Sequence, residues 1–270
     1  MIPFSAQEVK YMTFDGSDVE ACLAQPSSES PSPAVLLIHE IWGLESHIRD
    51  VAGRYAREGY VVLAPHLYSR ARQKEVLTPQ NIEKAMALVW GMPPEKRRDP
   101  KAVEALVAGS SGIDREVLGM TLGGGQAQTE VFMKDLLAGI EYLKSLPSVD
   151  KERIGATGFC MGGGLAFQLA TAQALKAAVI FYGQNPKPLD AMQRIEIPML
   201  AFYAGEDTGL NGGLPELMGA IVRYKKGFEL KIYQGALHSF FNDTRRSYNK
   251  EAAEDAWLRA TSFFAKNLRG

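Results

Sequence analysis

The chain has 270 residues, with 30 basic and 31 acidic side chains and a formal net charge of −1, which leaves no electrostatic footprint for nucleic acid or an anionic membrane. Hydrophobic residues make up 46% and charged residues 23%, an ordinary balance for a soluble globular protein with a substantial core. Cys22 and Cys160, far apart and the only two cysteines, argue against a disulfide framework; with no apolar stretch of membrane length and no basic-then-apolar N-terminus, a cytoplasmic protein is expected.

Residues 8–15 alternate, Asp15-Gly16 follows, and 18–25 are extended again, which predicts an N-terminal β-hairpin. A Ser/Pro-rich patch, 26–33, is the next loop. Short apolar runs at 34–38, 60–64, 153–157, 177–181 and 199–203 suit strands buried on both faces, and 228–233 is a further strand. Helical patterns fall between them at 45–58, 79–91, 126–146, 161–174 and 213–226, and a last helix at about 248–267 carries Ala252, Ala253, Ala256, Trp257, Ala260, Phe263 and Phe264. Strands alternating with helices predict an α/β fold, a mostly parallel central sheet flanked by helices, as a single domain over 1–270. Residues 91–125 break the alternation. Asp99-Pro100 is a helix start signal, so this segment reads as a helical insertion, either a surface excursion or a cap hinged near Gly123-Gly124-Gly125. The basic run Lys96-Arg97-Arg98 has acidic neighbours Glu95 and Asp99 and reads as a solvated loop. The glycine run lacks the lysine of a phosphate loop.

The chemistry concentrates in Gly158-Phe159-Cys160-Met161-Gly162-Gly163, which follows a predicted strand and opens a predicted helix. This is the nucleophile elbow of the α/β-hydrolase fold, with cysteine in the place of serine. The sharp turn crowds neighbouring backbone, so its flanking residues must be minimal, and the helix N-terminus favours an anionic sulfur. A cysteine nucleophile needs an imidazole and an orienting acid, in the chain order nucleophile, acid, histidine. His238 follows the strand 228–233, and Asp207 follows the strand 199–203; Glu206 competes with Asp207, but only one of the two can face the histidine. Among the other histidines, His39 reads as a packing or hydrogen-bonding residue, His47 as an exposed helix residue, and His66, at the catalytic edge, as structural or, second, substrate-contacting. Cys22 reads as a packing residue. No metal site and no cofactor are expected. The segment His39-Glu40-Ile41-Trp42-Gly43 sits where this fold supplies its second oxyanion donor, so the N–H groups of Ile41 and Met161 are the expected oxyanion hole.

These segments, together with Ala64-Pro65-His66-Leu67-Tyr68, Gly205-Glu206-Asp207 and His238-Ser239-Phe240, resemble the dienelactone hydrolase family (carboxymethylenebutenolidases and relatives). The resemblance implies that Glu40 helps to generate the thiolate when substrate binds. Trp42, Tyr68, Phe240, Asn242 and Arg245 are the expected substrate contacts. The family holds a substrate carboxylate with two arginines; the chain has Asn242 at one of those positions and aligns Ala85 with the other, leaving Arg245 and Arg246 as stand-ins. The expected activity is cysteine-dependent hydrolysis of a small-molecule ester or lactone by a monomer. The alternatives are a non-catalytic small-molecule-binding protein, a promiscuous hydrolase of other activated esters such as phosphotriesters, and redox chemistry at the cysteine, which no nearby resolving cysteine supports.

Overall fold

The structure is a computed structural model that describes residues 2–93, 96, 97, 99–122, 125–172 and 174–269. Eight strands form one sheet in the order β1-β2-β4-β3-β5-β6-β7-β8. They are β1 Phe4–Met12, β2 Asp18–Pro26, β3 Ser32–Ile38, β4 Val61–Pro65, β5 Val149–Phe159, β6 Ala177–Phe181, β7 Met199–Ala204 and β8 Phe228–Tyr233. β1 and β2 form the expected hairpin, and β2 pairs antiparallel with β4; the pairings from β4 through β8 are parallel. A parallel sheet needs helical crossovers, which cover both its faces. The central strands are accordingly apolar throughout: every residue of β3, β4, β6 and β7 is buried.

The side-chain alternation of β3 divides the core. Val35 and Leu37 join Tyr55, Phe181 and Phe264 on one face, with helices α1 (Ser46–Arg57) and α10 (Lys250–Leu268). Ala34, Leu36 and Ile38 join Leu136, Ile140 and Leu143 of α6 (Gly125–Ser145) on the other. Buried Asp135 of α6 is paired by Arg70, which also reaches Asp15 beyond β1 and so ties the hairpin to the helical layer.

Between β4 and α6 lie α2 (Ala71–Val76), α3 (Pro79–Trp90), α4 (Pro100–Gly109) and α5 (Gly112–Thr121). The Asp99 carboxylate accepts from Lys101 N at 3.0 Å and starts α4, as its position before Pro100 predicts. α5 packs on α3 and α2, whereas α4 buries none of its residues. Gly123 and Gly124 of the expected hinge lie outside the described residues. α2 is absent from the sequence reading because only Val76 of its six residues is buried, too few for a periodic signal. β5 begins four residues earlier than its apolar run because Asp150, Lys151 and Glu152 are not buried. α7 (Met161–Ala170) ends earlier than predicted, at a cap on Thr171. The remaining α8 (Thr208–Asn211) and α9 (Leu214–Tyr224) connect β7 to β8.

Two glycines give opposite expectations. A Cβ on Gly162 would stand 2.3 Å from Ile38 O and 2.5 Å from His39 O, main-chain atoms that cannot swing aside, whereas a Cβ on Gly119 in α5 meets nothing within 4 Å. Gly162→Ala should destabilise the protein by at least about 3 kcal/mol, the upper end of overpacking costs. Gly119→Ala should stabilise it by about 1 kcal/mol through helix propensity. Paired chemical denaturation curves check both signs.

Candidate active site

β5 ends at Phe159 and α7 begins at Met161, leaving Cys160 at the turn with φ 54° and ψ −115°. A side chain other than glycine is strained there and persists only where its surroundings fix it. Here they do: Cys160 N donates to Phe181 O at 3.0 Å, and Gly164 N donates to Cys160 O at 3.1 Å. The crowding explains the flanking glycines, since a Cβ on Gly158 would lie 2.0 Å from Gly162 O. Cys160 is left half-buried at the end of the sheet where β3, β5, β6 and β7 all terminate.

The loops after β7 and β8 bring up its partners. Gly205 N donates to Tyr233 O at 2.8 Å and Glu206 N to Ala236 O at 3.0 Å, which couples the two loops. His238 Nδ1 donates to Asp207 Oδ2 at 2.5 Å, and Asp207 is buried. Glu206, the neighbouring competitor, is exposed and accepts from Gly235 N at 3.2 Å. His238 also hydrogen-bonds to Cys160. Burial opposes charge on the imidazole, but the anionic sulfur of Cys160 and the carboxylate of Asp207 outweigh it, and the His238 pKa is pushed up to about 10.

Glu40 is buried at the end of β3, where its Oε1 accepts from Ser239 Oγ at 2.8 Å and its Oε2 from Asn242 Nδ2 at 2.6 Å. Asn242 is oriented in turn, because its Oδ1 accepts from Thr244 N at 3.1 Å and Thr244 Oγ1 at 2.7 Å. Its Nδ2 also reaches Glu45 Oε1 at 3.3 Å, while Arg245 Nη2 donates to Glu45 Oε2 at 2.8 Å and its guanidinium lies 4.1 Å over the Trp42 ring. Tyr182, at φ 40° just past β6, is buried beside Glu40, and its ring is 5.1 Å from that of His238. Burial first, then the charges of Glu40 and Cys160, hold its hydroxyl well above its usual pKa. Met161 opens α7, so its N–H has no carbonyl one turn earlier in that helix. Ile41 lies in the turn closed by Gly43 N donating to Glu40 O at 3.2 Å.

The profile of the dienelactone hydrolase family matches residues 19–268, which takes in every residue of this cluster. The chain belongs to the dienelactone hydrolase family. A Saccharolobus solfataricus protein provisionally named carboxymethylenebutenolidase is 48% identical over 252 residues, 93% of this chain and 95% of that protein. The solved structure of a provisionally assigned dienelactone hydrolase from Klebsiella pneumoniae superposes with a TM-score of 0.74 at 26% identity, covering 98% and 99% of the two chains. A dienelactone hydrolase-like promiscuous phosphotriesterase from metagenomic libraries shares the fold, with a TM-score of 0.73 at 20% identity over 98% of each chain. As a dienelactone hydrolase family member with an α/β-hydrolase fold, the protein is a hydrolase of the carboxylic-ester type.

The structure brings Cys160, His238, Asp207, Glu40, Ile41 and Met161 to one end of the sheet. Of the expected substrate contacts, Trp42 and Arg245 are part-exposed, whereas Phe240 and Asn242 are fully buried and Tyr68 nearly so. Phe240 packs between Tyr182 and Tyr233, and Asn242 holds Glu40; both support the pocket from behind. Tyr68 points its hydroxyl at Met161 Sδ, 3.5 Å away. His47, expected to be exposed, is buried: its ring packs on Phe159 and Phe241, and Nδ1 donates to Asp243 Oδ1 at 3.1 Å. Helix periodicity alone missed this inward-facing role. Ser239 and Tyr182 were also missed, although Tyr182 follows the predicted strand 177–181 at the catalytic end of the sheet.

Neither family arginine has a direct counterpart. Ala85 is buried in α3. α2 comes earlier after β4, but its Arg72 pairs with Glu116 and Glu75, and Arg70 with Asp135 and Asp15. Arg246 is exposed. Among the described residues, no group of three or more His, Cys, Asp and Glu is placed to hold a metal ion, and no helix is long and apolar enough to cross a membrane.

The elevated His238 pKa depends on its anionic neighbours. Removing the sulfur in Cys160→Ala should lower the titration midpoint of His238 by at least about one unit. NMR titration of the imidazole reads this; an unchanged midpoint would show that the sulfur does not pair with it.

Proposed function

We propose that the protein is a cysteine-dependent hydrolase of carboxylic esters or lactones, acting through Cys160, His238 and Asp207 and a thioester acyl-enzyme. The observation that carries this reading is the hydrogen-bonded series from Cys160 through His238 to Asp207 at the nucleophile elbow. The Cys160 thiolate attacks the carbonyl carbon. The resulting oxyanion lies between the Ile41 and Met161 N–H groups. Collapse expels the alkoxide, which takes the His238 proton, and leaves the acyl group on sulfur. His238, now neutral and oriented by Asp207, removes a proton from water as it attacks the thioester; the acid departs and the imidazolium–thiolate pair is restored. Glu40 is held by Ser239 and Asn242 while His238 holds the sulfur, so the resting thiolate is maintained by His238. By the family resemblance, Glu40 helps to generate the thiolate when substrate binds, which requires substrate to draw it from Ser239 and Asn242 toward the sulfur.

Cys160→Ala should abolish turnover of p-nitrophenyl esters and of lactones while the circular dichroism spectrum is retained. In the unaltered protein, intact mass spectrometry during turnover should show one acyl adduct, mapping to Cys160. Ester hydrolysis that survives in Cys160→Ala at more than a few per cent would reject the reading.

Substrate charge follows from the same geometry. The carboxylates of Glu40, Glu45 and Asp207 stand around the site, Asn242 brings no charge, and Arg245 is already paired with Glu45. A substrate carboxylate therefore meets, at the rim beside Trp42, an arginine whose charge is already taken by Glu45. For a matched pair of esters differing only by a carboxylate, kcat/KM should favour the neutral member by at least about tenfold, or ~1.4 kcal/mol. Preference for the carboxylated member would show that Arg245 or Arg246 leaves its place to act as the clamp.

A further inference from the structure

We infer that His39 is a positioning residue that sets the Ile41 oxyanion donor by locking the plane of the Glu40–Ile41 peptide. The inference rests on the cysteine-ester reading above, which supplies the oxyanion.

His39 is fully buried at the end of β3, with its ring edge-on to Tyr68 at 5.1 Å and to His66 at 6.1 Å. Each ring nitrogen has a main-chain partner of fixed sign. Leu67 N, from the loop after β4, donates to Nε2 at 3.1 Å, so Nε2 must be bare. Nδ1 lies 2.5 Å from Glu40 O, which can only accept, so Nδ1 must carry the proton. The two contacts together define one neutral tautomer. Burial first, with His66 adding to it, pushes the His39 pKa down to about 3, which keeps the ring in that form.

The consequence lies in the peptide that follows. A trans peptide is planar, and its C=O and N–H point in opposite directions. Glu40 O is drawn to one side by His39 Nδ1–H and by Gly43 N, 3.2 Å away. The N–H of Ile41 is thereby turned to the other side. Without the His39 bond, the long turn bond from Gly43 is left to resist rotation of this peptide, and the donor loses its aim. The second donor is tied to the same frame: Gly162, directly after Met161, lies against the carbonyls of Ile38 and His39, and Met161 Sδ meets Tyr68. His39 thus links the end of β3, the loop after β4 and the first turn of α7, the segments that carry or support both N–H groups.

Two substitutions separate the two nitrogens. Asn places its amide nitrogen near the Nδ1 position and can keep the bond to Glu40 O; Gln places its amide near Nε2 and can keep only the bond from Leu67 N. His39→Gln should lower kcat for ester turnover about 30-fold or more, toward the roughly 10²–10³-fold cost of losing an oxyanion donor, with KM within about threefold. His39→Asn should stay within about fivefold of the unaltered enzyme. Alkylation of Cys160 by iodoacetamide, which forms no oxyanion, should change less than about twofold in either variant. Equal losses in both variants, or alkylation falling in step with kcat, would overturn the inference in favour of a structural role. If the variants do not fold, 15N NMR of the unaltered protein decides it: the inference requires neutral His39 protonated on Nδ1, and a proton on Nε2 overturns it. Hydrolysis surviving in Cys160→Ala is a separate result that strikes the ester mechanism itself.

Discussion

The contact between the first turn of α7 and the ends of its neighbouring strands governs the whole catalytic end. Gly162 approaches the carbonyls of Ile38 and His39, and Gly163 approaches Phe181 O, so closely that neither position has room for a Cβ. That approach forces Cys160 into its left-handed conformation, with Cys160 N caught by Phe181 O at 3.0 Å. Strain at one residue is tolerable because β3 and β6, the strands on either side of it, are fully buried and cannot yield. The same contact fixes the separation of two segments, the start of α7 and the turn just past β3. Cys160 and the turns that present the Ile41 and Met161 N–H groups are therefore products of a single packing arrangement, which is why the elbow has so little room for side chains.

Around that frame, the loop from His238 to Asn249 supplies charge and shape together. His238 faces the sulfur, Ser239 and Asn242 take the two oxygens of Glu40, and Phe240 and Phe241 fill the core behind. The loop is pinned at both ends. Asp243 accepts from His47 and from Arg54 of α1, and Asn249 caps α10 by accepting from Ala252 N at 3.1 Å. A buried carboxylate such as Glu40 is costly unless its oxygens are bonded, and two neutral donors satisfy it here without cancelling its charge. Ser239 and Asn242 thus take both oxygens of Glu40, while His238 is the group that faces the sulfur.

The parts of this arrangement that depend on local residue chemistry were legible in the sequence. The elbow announces itself because a glycine-bracketed nucleophile between a strand and a helix has a steric cause. Asp207 and His238 follow because a parallel sheet delivers the ends of its strands to one edge. Most of the strands and helices were legible for a similar reason, since burial on both faces leaves continuous apolar runs. The parts that escaped depend on distant segments meeting. His47 reads as a polar helix residue and becomes buried only because Phe159, Phe241 and Asp243 surround it. Phe240 and Asn242 were expected to touch substrate, Asn242 because it stands where the family has an arginine, but a turn near Ser239, at φ 63°, sends them inward. α2 escaped because a short helix on the surface has almost no apolar face to show.

The position of Asn242 shows how one substitution relative to the family pattern reshapes a site without dismantling it. An arginine four residues after the catalytic histidine could both neutralise Glu40 and hold an acidic substrate. Asn242 retains the structural half of that work: its Nδ2 bonds Glu40 and Glu45, and Thr244 fixes the amide from the other side. The charge does not follow. Arg245 lies three residues further on, but Glu45 and the Trp42 ring hold its guanidinium at the rim. Under the proposed mechanism the Cys160–His238 pair and the Ile41 donor do not depend on this exchange, since the elbow and His39 hold them. In the proposed mechanism, the charge offered to substrate at this position can therefore change while Asn242 keeps its hold on Glu40.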